Sequence, residues 1–491
     1  MLAVDCPEPD KFMNSPSQHS TDSLALPTAP RVSSPTSRSE TASAKPVSTL
    51  SVFDAVIIMV GIVIGIGIFR TPSIVAANVN SEWAFIMVWV AGGLVTLMGA
   101  LCYAELSAAH PHAGGEYHFL SRAYGRPVAM LFGWARGTVI QTGAIAGVAF
   151  VLGDYVSQLF PLGRYGPALY AALAVMLFTG INVIGTAQSK TLQVVVTLIE
   201  IGALAAVILF GLFGSPAETA PATPTAPTET AALGVAMIFV LLTFGGWNEA
   251  AYLTGELKDA PRNIAKVLVA GTLILVILYV LANVALLSIL GLDGLRSSDA
   301  VAADMMRRVA GGTGEIVVTL AIIVAAVSTL NATIFTGARV FYAMAQDLSV
   351  MRWMGVWNGR GKTPANGQLV QGAIALTLIA MGAVTRDGFK AMVDYTAPVF
   401  WGFLLLIGLA VFVLRWRHPG RELPYRVPLY PITPIVFCLT CLYMLYASTL
   451  HTGAAAWVGI AVLAAGTPLL LLRNKAVEPT VAADPSDDNA H

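Results

Sequence analysis

Gly61-Ile62-Val63-Ile64-Gly65-Ile66-Gly67-Ile68-Phe69 places three glycines inside a stretch that is otherwise long and apolar enough to cross a membrane as a helix. Each glycine weakens a helix by about 1 kcal/mol relative to alanine, so the stretch is expected to break near its middle. A second apolar stretch carries Thr243-Phe244-Gly245-Gly246-Trp247-Asn248-Glu249, where adjacent glycines meet polar side chains at a comparable depth. Unpaired backbone at that depth costs several kcal/mol per group unless it lines a protein cavity. A break therefore predicts a cavity. The N-terminal end of a half helix offers free N–H groups and a positive dipole to a carboxylate, and a C-terminal end offers carbonyls to an ammonium, so two breaks together suit a zwitterion. The plain alternative, that Gly61-x-x-x-Gly65 only lets helices pack closely, does not explain the matching interruption five spans later. That spacing points instead to an inverted five-helix repeat, an arrangement in which broken helices mark the substrate site.

Working outward, the rest of the chain is consistent with lipid as its main solvent. Apolar residues make up 56% of the sequence and charged ones 11%, and the mean hydropathy is +0.72, values outside the range of soluble domains. The 28 basic and 28 acidic residues balance, which gives no global field for nucleic acid. At about 20 residues per crossing, twelve spans are expected, near 52–77, 84–107, 128–157, 166–184, 189–213, 231–256, 264–291, 314–346, 368–385, 391–416, 429–450 and 454–472. With the N-terminus inside, nineteen Lys and Arg fall on the cytoplasmic side and six outside, the bias expected of a cell-membrane protein with both termini cytoplasmic. Residues 1–48 and 474–491 are polar and rich in Ser, Pro, Thr or Asp and are expected to be disordered tails flanking a single transporter domain, 49–473. The Pro-Thr-Ala loop 214–230 is expected to be an exposed connector. Cys438 and Cys441 lie in an apolar span and are expected to pack rather than to bind metal or pair.

Four motifs make the chain, from Leu50 to about Leu472, resemble the amino acid, polyamine and organocation (APC) superfamily, and within it the L-amino-acid transporter-like permeases. Gly65-Ile66-Gly67-Ile68-Phe69 is similar to the family's G-S-G-I-F, with Ile66 replacing the usual serine. Ala104-Glu105-Leu106 followed by Pro111-His112-Ala113-Gly114-Gly115-Glu116-Tyr117 resembles its A-E-L…P-x-x-G-G-x-Y. Gly246-Trp247-Asn248, then Gly255-Glu256-Leu257-Lys258-Asp259-Ala260-Pro261-Arg262-Asn263-Ile264, resembles G-W-N…E-E-L-K-N-P-x-R-N-I with the proline displaced by one. Asn331, Arg339 and Tyr342-Ala343-Met344-Ala345-Gln346-Asp347 resemble N…R…Y-A-M-A-x-D. The resemblance implies an all-α, LeuT-like fold of five plus five inverted helices with two peripheral ones, and alternating access around a central amino acid site. Carried over by position, it implies that the N–H groups of Ile66 and Gly67, beside Gly65, hold the substrate carboxylate. The Val63 carbonyl and those of Thr243, Phe244 and Gly245 would lie near the amino group, beside Gly246 and Asn248, with Trp247 capping the substrate from outside.

Glu200 departs from the family, several members of which carry a lysine there in place of a sodium ion. Two readings stay open: a buried carboxyl that titrates and couples protons, or a structural ion pair with Arg136. No cofactor is expected, and a coupling proton ranks ahead of sodium. Glu105, Tyr117 and Asn331 are gate candidates, with Glu105 placed to bridge to basic loop residues. His110, His112 and His118 fit no metal-ligand spacing, and Arg296, Arg307 and Arg308 are expected to form a short amphipathic outer segment. Since no nucleophile or metal cluster is apparent, an enzyme is not expected. The expected activity is secondary active transport of small, neutral L-amino acids by symport or antiport. The alternatives are a polyamine or cationic amino acid carrier, which would use Glu249, and a non-transporting amino acid sensor. The expected partners are the amino acid and the bilayer, and the outer loops hold no cysteine for bridging to a second subunit.

Overall fold

The computed structural model describes residues 50–112, 114–184, 190–214, 233–347, 353–354, 365–385, 387–450 and 453–470. The two tails, most of the 214–230 loop and the side chains of Ile66 and Arg339 lie outside the described residues. The described residues belong to one unit, Pro46–His491, and their regular structure is helical, apart from one isolated backbone bridge between Leu50 and Leu257.

Helix α1, Val52–Val63, starts with a capping box in which the Ser51 hydroxyl and the Asp54 side chain each bond the other's backbone N–H, satisfying two of the donors a helix start leaves free. It ends where the glycines begin. Gly65 is extended, Ile66–Phe69 forms a short 3-10 turn, and α2, Thr71–Ala77, resumes with Pro72 in its first turn. The second break follows the same logic. Helix α9, Leu233–Thr243, stops before Gly246, whose φ of 104° only glycine adopts without strain, and Trp247–Gly255 continues as a 3-10 helix. Leu50 N–H donates to Glu256 O and Lys258 N–H to Leu50 O, both at 3.0 Å, so the start of the first broken span is tied to the end of the second. The two broken spans therefore run antiparallel, break against break.

Around them lie α3 (Glu82–Ala109), α4 (Gly115–Tyr124), α5 (Arg126–Ala135), α6 (Gln141–Leu159), α7 (Gly166–Ile184), α8 (Lys190–Phe213), α10 (Ala260–Arg296), α11 (Val301–Asp347), α12 (Ala365–Ala383), α13 (Gly388–Arg417), α14 (Ile432–Leu450) and α15 (Ala454–Ala464). Arg136–Ile140 forms a π turn between α5 and α6, a local widening common at functional sites. Among the described residues nine helices are long and apolar enough to cross a membrane, and Val52–Val63 and Ala454–Ala464 are shorter apolar helices. Helix α12 falls outside both groups and buries Gln368 and Gln371. Cys102, Cys438 and Cys441 are buried and free. The short segment expected around Arg296, Arg307 and Arg308 lies between two kinks, at Gly291 within α10 and Gly311 within α11, where the backbone leaves helical angles; Arg296 ends the first piece. Its guanidinium donates to Ala76 O and Val79 O at 3.0 and 2.7 Å and so caps the end of α2.

Candidate functional site

The breaks bring together most of the residues expected to form the site. A side chain on Gly67 would meet the Thr243 side chain at an ordinary 3.5 Å, and one on Gly246 would meet the Val63 side chain at a tight 3.3 Å, so the two breaks lie directly against each other. In the turn Ile66–Phe69 the N–H groups of Ile66 and Gly67 precede the first intrahelical bond and have no partner within it. The ends of α1 and α9 come together at the same point. The Val63 carbonyl accepts from Gly65 N–H and from the Tyr279 hydroxyl, both at 2.7 Å. The Thr243 hydroxyl is within 2.7 Å of the Thr71 hydroxyl and donates to Phe239 O at 2.8 Å. Phe244, Trp89 and Tyr279 form an aromatic cluster over this point, with Phe244 and Tyr279 centroids 5.1 Å apart.

Trp247 and Asn248 do not join this group. They lie beyond the break, on the limb that runs back to Leu257 and hence to the face where α1 begins. The Trp247 ring packs on Tyr103 at 4.7 Å, and the absence of a side chain on Gly99 leaves room for its indole. An outward cap by Trp247 is thereby corrected, because residues after Gly246 descend toward the N-terminal face.

The same limb enters a buried ionic cluster centred on Glu116. Its Oε1 accepts from the Tyr103 hydroxyl at 2.7 Å and Asn248 Nδ2 at 2.9 Å. Its Oε2 accepts from Arg136 Nη1 at 2.9 Å and the Tyr252 hydroxyl at 3.1 Å. Arg136 Nη2 also bonds Glu249 at 2.5 Å, and the guanidinium lies over the Tyr252 ring. Arg136 is thus paired with Glu116 and Glu249, which overturns one of the open readings of Glu200, a structural ion pair with Arg136. The two lie on α8 and the α5–α6 turn and face different neighbours. Glu200 is buried on α8 and accepts from the Thr329 hydroxyl of α11 at 3.4 Å, with no ion pair among the described residues.

A second cluster sits on the other side of the breaks. The buried Arg70 bonds Asp387 at 2.8 Å and lies 3.5 Å from both Asp154 and Asp299. One guanidinium thus gathers three carboxylates from three segments, while Tyr155 donates to Phe69 O at 2.9 Å. Sequence reasoning assigned no role to Arg70 or Glu116. The available signal was a charged residue inside an apolar span, which is costly unless partnered.

The gate candidates lie away from the breaks. Glu105, near the end of α3, accepts from Arg415 Nε and Nη2 at 2.6 and 2.5 Å and from Val427 N–H at 2.7 Å, a forked pair of the strong kind. Asn331 Oδ1 accepts from Asn182 Nδ2 at 2.7 Å, linking α11 to α7. Tyr117 is half-buried on α4. His112 and His118 stack at 4.3 Å, and burial with nearby cationic groups pushes His110 and His118 down to about 4.

Residues 50–470 match the family model described as amino acid permease. The b(0,+)-type amino acid transporter 1 of Mus musculus is 29% identical over 406 residues, covering 81% of this chain and 82% of the relative. The serine/threonine exchanger SteT of Bacillus subtilis (strain 168) is 27% identical over 421 residues, 84% of this chain and 94% of the relative. The large neutral amino acids transporter small subunit 2 of Homo sapiens is 28% identical over 426 residues, 84% and 78%. Nine apolar helices and transporter relatives make this a multi-pass membrane protein.

Proposed function

Because the chain belongs to the amino acid permease family, we propose that it is a secondary active transporter for small neutral L-amino acids, binding them where the two broken spans meet. We read twelve passes, five plus five inverted with two peripheral, and both termini cytoplasmic. The observation that carries the neutral reading is charge. Near the breaks Glu116 and Glu249 are both ion-paired with Arg136, and Glu116 also accepts from Tyr103, Asn248 and Tyr252, so the cluster keeps one net negative charge but presents no unpartnered carboxylate to a cationic side chain. The N–H groups of Ile66 and Gly67 supply the carboxylate end and the carbonyls around Thr243 the ammonium end. Glu105, Tyr117 and Asn331 serve as gate elements remote from the substrate.

Glu200 is the coupling residue in this reading, because it is buried, lacks a cationic partner among the described residues, and faces a hydroxyl that hydrogen-bonds either protonation state. The test is uptake into liposomes: serine, alanine and leucine against lysine and putrescine, with wild type and Glu200→Gln. Uptake of neutral amino acids is expected, with a pH dependence that Glu200→Gln flattens. Selective uptake of lysine or putrescine would overturn the substrate class. A Glu200→Gln variant with the wild-type pH profile would remove the coupling role.

A further inference from the structure

A cavity of about 200 Å³ opens between the end of α3 and the end of α13 under the segment 420–427, far from the breaks. Arg415, Arg421, Arg426, His110 and His418 line it, with Glu105 as the one carboxylate in its wall. Glu105 is fully occupied by Arg415 and the Val427 N–H. The cationic wall is therefore not compensated. Arg421 makes one hydrogen bond, to Ala109 O at 3.1 Å, and Arg426 has no partner among the described residues. Each guanidinium has five donors, so most of the donors here are unused. The charge is felt locally. After burial, the guanidiniums of Arg421 and Arg122 and the neighbouring His118 and His418 are what hold His110 down at about 4.

The rest of the lining is aliphatic, including Val411 and Leu414, and the rim is apolar. Arg415 lies 3.8 Å over the Tyr430 ring, and Trp416, Leu429 and Ile432 nearby are exposed large hydrophobic residues. Aromatic and aliphatic exposure beside arginines is what a membrane–water boundary selects, and arginine forks match phosphate oxygens in pairs. Basic residues on the same face that only follow the charge bias of loops look different. Arg262 is exposed, as Arg421 and Arg426 are, but it sits beside Asp259, and neither it nor Lys258 lines the cavity.

We propose that this cavity is a phosphate site for the headgroup of an anionic phospholipid, held by Arg421 and Arg426 and bridging α3 to the α13–α14 segment. Its charge is satisfied by groups that take no part in the amino acid site, so it stands whatever the substrate is.

The experiment uses the full chain, purified in detergent, with retained lipid read by native mass spectrometry and thermal midpoints read after adding phosphatidylglycerol, phosphatidylcholine or inorganic phosphate. Wild type is expected to retain phosphatidylglycerol over phosphatidylcholine. An arginine near an anionic surface contributes about a 5-fold preference, so Arg421→Gln/Arg426→Gln is expected to lose about 25-fold, while Lys258→Gln/Arg262→Gln stays at the wild-type level. Arg426→Gln alone, which breaks no contact, is expected to lose about 5-fold and serves if the double variant misfolds. Protection by inorganic phosphate without lipid, lost in the same variants, would support the site and assign a soluble occupant. Equal losses in the control pair, or no discrimination between the two lipids together with no effect of phosphate, would overturn the proposal.

Discussion

Replacing Glu116 with glutamine removes a charge while keeping the shape, at the point where α4, the π turn and the Trp247–Gly255 limb meet. The glutamine oxygen can still accept from Tyr103 and Asn248, as Oε1 does. Its amide nitrogen, however, would face the two donors now on Oε2, Arg136 Nη1 and the Tyr252 hydroxyl. A hydrogen bond to a charged group contributes about 1.5–3 kcal/mol and a neutral one about 1, so the loss is about 3 kcal/mol, at a side chain only 4% exposed. With an unfolding entropy of roughly 2.1 cal/mol/K per residue, a domain of this size should lose about 3 °C in thermal midpoint. The control is Glu249→Gln, whose side chain is 34% exposed. Solvent screens that pair, and the expected cost is under about 1 kcal/mol, or about 1 °C. Both variants and wild type are compared by thermal unfolding in one detergent, with the double variant closing the cycle. If Glu116→Gln falls no further than Glu249→Gln, the four-contact carboxylate is not what holds the limb.

Three other outcomes are expected. Gly67→Ala should fold, since its Cβ meets Thr243 at an ordinary 3.5 Å, yet lose amino acid uptake, whereas Gly246→Ala should be destabilised by about 1–2 kcal/mol because its φ of 104° is left-handed. Thermal midpoints and uptake separate the two, and full uptake by Gly67→Ala would remove it from the site. Arg70→Gln leaves three carboxylates without their cation and should cost about 3–5 kcal/mol. Adding Asp387→Asn should restore part of the thermal midpoint, and no restoration would show that the three charges do not act through Arg70. His110 and His118 are held near 4 against about 6.5 when unfolded, so the unfolded chain binds more protons between these values. Stability should fall as pH drops from about 6.5 to 4, and His110→Gln should flatten that slope in a pH series of melts.

The breaks were legible in the sequence because they are local. Gly246 is required by its left-handed backbone angle, and Gly65 and Gly67 weaken the helix where it breaks, effects that act within a few residues and leave a readable glycine pattern. The hub at Glu116 was not legible in the same way. Its partners are 13, 20, 132 and 136 residues away in the chain, and no periodicity links them. Arg136 and Glu200 were both visible as charges inside spans, but depth along a helix does not say which way a side chain faces, and rotation about the helix axis decided against their pairing. Trp247 was misplaced for a related reason. Its motif neighbours locate it at the break, while the direction in which the chain leaves Gly246 assigns it to the limb that descends to the N-terminal face.

Gly67 and Arg70 are three positions apart, one 3-10 turn of backbone closed by Arg70 N–H donating to Gly67 O. The backbone proposed to meet a zwitterion and the side chain that fastens Asp154, Asp299 and Asp387 therefore share a single short lever, with Phe69 O pinned to Tyr155 along it. On the proposed site, any tilt of this turn at Gly67 would be carried by covalent geometry to the ionic fastening at Arg70, so substrate occupancy and the Arg70 cluster would be coupled without a relay of side chains.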